Sequence, residues 1–267
     1  MERPVYNAVG ETSAWEAADR RAARAIAEAF AAAAAPIAVG LSGAQGSGKT
    51  TMAARVVDRL GRVGLRAAIL SLDDFYLTRS ERSELGRTVH PLLATRGVPG
   101  THDIGPLAAA LDALLADRPA AVPIFDKGLD DRAGWRTIEG VPDVILLEGW
   151  CVGAQPEPKQ RLATPVNALE REEDADATWR AWVNHRLATD YAELFARLSL
   201  RILLRAPDFG VVLRWRTEQE RDLLFGGMGT LQMKRFIDHY ERITRWMLED
   251  EPADLVFRLD ASRKPLV

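Results

Sequence analysis

Residues 43–50 read GAQGSGKT, and no other stretch limits so strongly what this chain can fold into. Gly43 and Gly48, followed by Lys49 and Thr50, make the pattern of a phosphate-binding loop. There the backbone turns tightly and successive N–H groups converge on phosphate oxygens. Such a loop is placed between a buried strand and a helix N-terminus, whose partial positive charge also faces the phosphates. Both flanks have that character. Ile37 to Ser42 is a short apolar run suited to a parallel strand, and Thr51 to Leu60 is amphipathic with a glycine stop at Gly61. Gly43, Ala44, Gln45, Gly46, Ser47, Gly48, Lys49, Thr50 and Thr51 are therefore expected to hold a nucleoside triphosphate. Lys49 supplies a point charge, and Thr50 places a hydroxyl on Mg2+.

The rest of the chain supplies further strand ends with charge on them. Arg66 to Leu72 reads as a second strand, and Asp73, Asp74, Phe75 and Tyr76 follow it directly. In an open parallel sheet, ligands gather beyond the carboxyl ends of strands, so these acids are expected on the same edge as the phosphate loop. One carboxylate there can serve as the base for an attacking hydroxyl; a helix cap or surface turn is the other use of such aspartates. Asp143 to Leu147 is a buried strand closed by Glu148, a carboxylate placed to hold Mg2+ directly or through water. Val122 to Phe125 is a brief strand followed by Asp126, Lys127 and a glycine-bearing loop. Residues 80–106 read as a binding loop in which Arg96 and His102 are available to an anion. Leu200 to Leu204 and Leu255 to Leu259 are further strands, and Leu231 to Leu248 is a last long helix.

Strands and helices alternate, which predicts an α/β fold: a parallel sheet with helices on both faces. The 267 residues are read as one domain, with an N-terminal helix at about 12–35, a surface insertion at about 152–177 and a lid at about 209–229. Gly226, Gly227 and Gly229 are placed to let that lid move. Lys and Arg number 35 against 38 Asp and Glu, a net charge of -3, so no overall field recruits nucleic acid or an anionic membrane. The single Cys151 forms no internal disulfide, and no Cys/His cluster points to zinc. Arg24, Glu28 and Pro36 interrupt the alanine-rich stretch at 22–41, and the N-terminus lacks the pattern of an export signal. A cytoplasmic protein acting on a small molecule is expected; the oligomeric state is left open.

The ordered set SLDDFYLT at 71–78, RGVPGTHD at 96–103, FDKG at 125–128, LLEGWCVG at 146–153 and WRAWVN at 179–184 resembles the P-loop small-molecule kinases. Within the uridine kinase, phosphoribulokinase and pantothenate kinase group, it is most similar to the D-glycerate 3-kinase branch. The likeness extends over nearly all of the chain after about residue 36. It implies ATP and Mg2+ as cofactors, Lys49 on the β and γ phosphates, Thr50 and Glu148 on the metal, and Asp73 as acceptor of the hydroxyl proton. Arg216 and Arg221 resemble the group's lid arginines. Asp73, Asp74, Tyr76, Arg96, His102 and Lys127 are the expected acceptor contacts, with Arg96, His102 and Lys127 as donors to a glycerate carboxylate. FDKG carries glycine where the branch often has serine. Pantothenate, a nucleoside or another small alcohol is an alternative acceptor, and a nucleotide-dependent regulatory module is an alternative of another class. Neither NKxD nor DxxG after the Glu148 strand is present, which argues against a GTPase.

Overall fold

The computed structural model describes residues 12–140, 142–222 and 230–266, with backbone alone at 12, 13, 217, 219–222, 230 and 231. In chain order, α1 (Thr12–Ala33) leads to β1 (Ile37–Gly43), the phosphate loop, α2 (Lys49–Arg62), β2 (Ala67–Ser71) and a 3-10 turn at Leu72–Phe75. Then come α3 (Arg79–Thr88), α4 (Ile104–Leu115), β3 (Ala120–Asp126), β4 (Asp131–Ile138) and β5 (Val144–Gly149). Three short helices follow, α5 (Ala168–Glu173), α6 (Thr178–Arg186) and α7 (Ala192–Phe195), before β6 (Leu198–Arg205). The chain ends with α8 (Gly210–Asp222), α9 (Thr230–Asp238), α10 (Glu241–Asp250) and β7 (Leu255–Arg258).

Five strands form a parallel sheet in the order β2-β5-β1-β6-β7. Alternation along its central strands explains the helices on both faces. Ala38, Ile145 and Leu147 join one apolar core, which includes Phe75, Leu107, Trp150 and Tyr191. Val39, Leu41, Val144 and Leu146 join the other, with Ile26, Met52, Val56 and Trp215. β1 and β5 are buried along their whole length, as a strand covered on both sides must be. Each fully buried aliphatic side chain contributes about 1.5–3 kcal/mol relative to exposure, so the two cores fix the sheet's position and register.

That register builds the site. Leu41 and Ser71 both lie opposite Glu148, from β1 on one side and β2 on the other. The phosphate loop, Glu148 and the start of the Asp73 turn therefore emerge at one sheet edge. Among the described residues, no helix is long and apolar enough to cross a membrane.

Three segments differ from the sequence reading. β3 pairs with β4 in a separate antiparallel ribbon, and β4 occupies the stretch read as a glycine-bearing loop. None of its residues is buried and they carry no apolar alternation, so the pattern that announces a strand is missing. Within 80–106, Thr78 and Glu81 close a capping box that starts α3, a largely polar helix with no apolar stripe to reveal it. The last long helix is instead two, α9 and α10, separated at His239 and Tyr240.

Candidate active site

Gly48 is the N-cap of α2 and offers no side-chain acceptor, so the first-turn N–H groups are left for an anion. Gly46 is left-handed at φ 80, and a Cβ there would lie 2.7 Å from Cβ of Trp215. Both its conformation and the close approach of α8 require glycine. Lys49 and Thr50 follow in the first turn and face an open cleft of about 550 Å³, shared with Ser71, Asp73, Asp74, Lys127, Arg136, Glu148 and Arg216.

Glu148 is almost wholly buried at the end of β5. Its Oε1 accepts from the Ser71 hydroxyl at 2.8 Å and, at 3.4 Å, from that of Thr50. Its Oε2 has no partner among the described residues. A buried carboxylate oxygen without a donor is costly, and a cation answers that cost. The donor set of one carboxylate with neighbouring hydroxyls is what Mg2+ uses when phosphates and water complete its shell. It is unlike a zinc cage: among the described residues, no group of three or more His, Cys, Asp or Glu side chains could hold a metal. The residues present thus fit Mg2+ held between Thr50 and Glu148.

Asp73 sits in the 3-10 turn directly after β2. Its Oδ1 accepts from the Tyr76 hydroxyl at 2.9 Å and its Oδ2 from the Lys127 ammonium at 2.7 Å. Burial pushes this carboxyl up, but the charges of Lys127 and Lys49 outweigh it and hold the group well below the usual carboxylate range. Asp73 is consequently ionised at neutral pH. Lys127 is presented by the ribbon's turn, where Asp126 Oδ1 accepts from the N–H groups of Gly128 and Leu129. Asp74, in contrast, points to Arg136 at 3.5 Å, and burial pushes its pKa up against that arginine's pull.

Behind Asp73 the cleft narrows to a chamber of about 40 Å³ lined by Lys49, Tyr76, Arg96, Lys127, Arg216 and Tyr240, with Trp150 at its wall. Arg96 is held there by an ion pair with Asp130, its guanidinium 5.6 Å from the centre of the Phe125 ring. The Tyr240 hydroxyl donates to the Arg96 carbonyl at 3.1 Å, and Trp150 Nε1 to the Gly97 carbonyl at 2.8 Å. Gly97 has φ 131, and a Cβ on it would fall 1.9 Å from the Tyr240 hydroxyl. Its neighbour's place in the chamber depends on that glycine.

His102 does not line this cleft or chamber. An isolated bridge aligns His102 with Tyr76, and Asp103 N donates to the Phe75 carbonyl at 2.7 Å. This turns the ring inward to stack on Tyr76 at 4.6 Å, with Nδ1 2.6 Å from the Tyr191 hydroxyl. Burial lowers its pKa to about 4, so it is neutral and carries no charge for an anion. The expected His102 contact is replaced by support of Tyr76. The Arg221 side chain and Gly226, Gly227 and Gly229 lie outside the described residues.

Ser71, Arg136 and Tyr240 also line the cleft and chamber, and none of them is singled out as a contact in the sequence reading, although Ser71 opens the SLDDFYLT motif. Ser71 is identifiable only from strand register, Arg136 only once β4 is seen to be a strand, and Tyr240 only from the break between α9 and α10.

No protein-family model matches the chain. It is 33% identical over 220 residues to the uncharacterised kinase mug58 of Schizosaccharomyces pombe, covering 77% of this chain and 78% of that one. The chloroplastic D-glycerate 3-kinase of Arabidopsis thaliana is 31% identical over 222 residues, covering 77% of this chain but 46% of its own length. The chain thus spans under half of that relative. Among solved structures, the D-glycerate 3-kinase of Cryptococcus neoformans superposes with a TM-score of 0.79 at 26% identity, over 93% of this chain and 97% of that one. With the phosphate loop and Glu148 in the arrangement described, the chain belongs to the ATP-dependent P-loop small-molecule kinases of the uridine kinase and phosphoribulokinase group.

Proposed function

We propose that the chain phosphorylates D-glycerate to 3-phosphoglycerate. The observation that carries this reading is the narrow cationic chamber behind Asp73, where Lys127 and Arg96 stand beside an ionised carboxylate. An acceptor for such a chamber is small, carries a hydroxyl for Asp73 and carries a negative charge for the cations. A nucleoside has neither the size nor the charge. A charge-assisted hydrogen bond to a bound carboxylate is worth about 1.5–3 kcal/mol, enough to select an acid over a neutral alcohol.

In the reaction, the acceptor hydroxyl oxygen bonds to the γ-phosphorus, the bond from that phosphorus to the β-bridging oxygen breaks, and ADP leaves. Asp73 takes the hydroxyl proton, while Tyr76 and Lys127 keep its oxygens aimed. Lys49 holds the β and γ phosphates, and Arg216, with Arg221 on the same helix, adds charge to the transferring group. Thr50 and Glu148 would hold Mg2+, which would supply neutralisation of phosphate charge.

The test is ADP release from purified protein with Mg-ATP, with and without D-glycerate. Strong stimulation by glycerate, and none by pantothenate or uridine, is the expected result. No stimulation in protein that binds ATP overturns glycerate as the acceptor and returns the search to other small alcohols and to a regulatory role.

A further inference from the structure

The last turn of the chain reaches back to the nucleotide loop. Asp260 knots this turn, its Oδ1 accepting from Ser262 N, Ser262 Oγ and Lys264 N at 2.7–2.9 Å. Arg263 N donates to the Asp260 carbonyl, and Arg263 itself is left-handed at φ 69, a conformation uncommon for residues other than glycine. Held this way, its guanidinium meets acceptors on two different elements. Nε donates to the Gly46 carbonyl at 2.8 Å, and Nη2 to the Trp215 carbonyl at 3.3 Å and to the Glu218 carboxylate, with the cation 5.5 Å from the Trp215 ring centre. Trp215 returns the contact through Nε1, which donates to the Ala261 carbonyl at 2.9 Å.

From this geometry we infer that Arg263 is a positioning residue for nucleotide binding, joining the phosphate loop to α8. In a trans peptide the carbonyl and the next N–H point opposite ways. With the Gly46 carbonyl held on the tail side, the Ser47 N–H turns into the loop, where it meets the Ala44 carbonyl at 3.1 Å. The internal turn of the phosphate loop, closed by the Ser47 N–H on the Ala44 carbonyl, is thus braced from outside by a cation. The same fork holds the helix turn that carries Arg216, which lines the cleft beside Lys49. A planar guanidinium can serve these acceptors together; a lysine ammonium on a flexible stem cannot. Loop and α8 then respond as one body when phosphates bind. This rests on the loop binding nucleotide and is independent of which acceptor is phosphorylated.

The test needs no acceptor. Arg263→Lys, Arg263→Gln and Glu218→Gln are made in the full chain and compared by calorimetric titration with Mg-ADP, by amide exchange with and without Mg-ADP, and by thermal midpoint. Both Arg263 variants are expected to weaken Mg-ADP by about tenfold or more at a nearly unchanged midpoint, and to lose the protection that Mg-ADP gives amides 211–218. Glu218→Gln removes only the ion pair of the helix arm, leaving the Trp215 contacts and the Gly46 bond, so it keeps Mg-ADP affinity within about threefold and loses part of the helix protection. Unchanged affinity in the Arg263 variants overturns the loop role, and retained protection of 211–218 overturns the coupling. If Arg263→Gln melts early, Arg263→Lys carries the test. Early melting of both makes Arg263 a folding residue and sinks the inference.

Discussion

Asp73→Asn is the perturbation that the geometry defines best. The side chain keeps its shape, but one of its two acceptor oxygens becomes an NH2 group. Either Tyr76 or Lys127 then loses its acceptor, because both donors are committed to this carboxylate. Lys127 is more than half exposed and can turn to water, so the amide oxygen stays with Tyr76 and the fold loses about 1 kcal/mol at most. Catalysis loses far more. An amide cannot take the hydroxyl proton, and general base catalysis contributes about 10²–10⁴ in rate, or about 3–5 kcal/mol of barrier. Nucleotide binding moves the other way or not at all, since removing a negative charge near Lys49 leaves that lysine freer for phosphate. Turnover by coupled ADP release and Mg-ADP affinity by calorimetry separate the two effects. Asp74→Asn is the comparison, because Asp74 lines the same cleft but makes its ion pair with Arg136, while Lys127 pairs with Asp73. Turnover of Asp73→Asn within about threefold of the unaltered chain would refute the assignment of Asp73 as base, whatever the melting curve shows.

Lys127→Met is expected to raise the acceptor KM and to move the acid limb of kcat/KM upward by about one pH unit or more. The sign follows from the carboxylate: its pKa is depressed, so the base form is present down to acid pH, and removing Lys127 leaves burial less opposed and lifts that pKa. A pH profile with an unmoved acid limb removes Lys127 from Asp73's environment. Glu148→Gln should raise the Mg2+ concentration for half-maximal activity by about 10–100-fold, read by Mg2+ titration at fixed ATP; an unaltered requirement excludes Glu148 as support for the metal. Arg242→Met removes the guanidinium that bridges the buried carboxylates of Glu157 and Glu170 at 2.6 Å each, leaving Glu157 to Arg161 and Glu170 to the Val166 N–H, and should cost about 3–5 kcal/mol in denaturant unfolding. A loss below about 1 kcal/mol would mean that both acids find other partners.

What the sequence makes legible is what strand ends dictate. A carboxylate one place beyond an apolar run has to emerge where the strands end, and Glu148 and Asp73 do so because buried β5 and the edge strand β2 run parallel and in register. The phosphate loop is legible for the same reason, its glycines and lysine being tied to a strand and a helix that announce themselves by period. Periodicity has no hold on β4, an exposed ribbon strand, and so the arginine it brings to Asp74 reads as part of a loop.

His102 and Gly97 mark a different boundary, because composition identifies both and side-chain direction decides what they do. A histidine in a glycine-rich loop is a ligand if it faces the cleft and a support if it faces the core. The backbone bridge to Tyr76 chooses the second, since it aligns the two residues and the stacked ring leaves Tyr76 to reach Asp73. Gly97 reads as a turn former. Its necessity comes instead from Tyr240, which fills the space a Cβ would take and fixes the Arg96 carbonyl from the far end of the chain. Local sequence holds no trace of that partner. The shape of the chamber behind Asp73 is therefore set by contacts between distant segments: its charges can be read along the chain, but what holds them in place cannot.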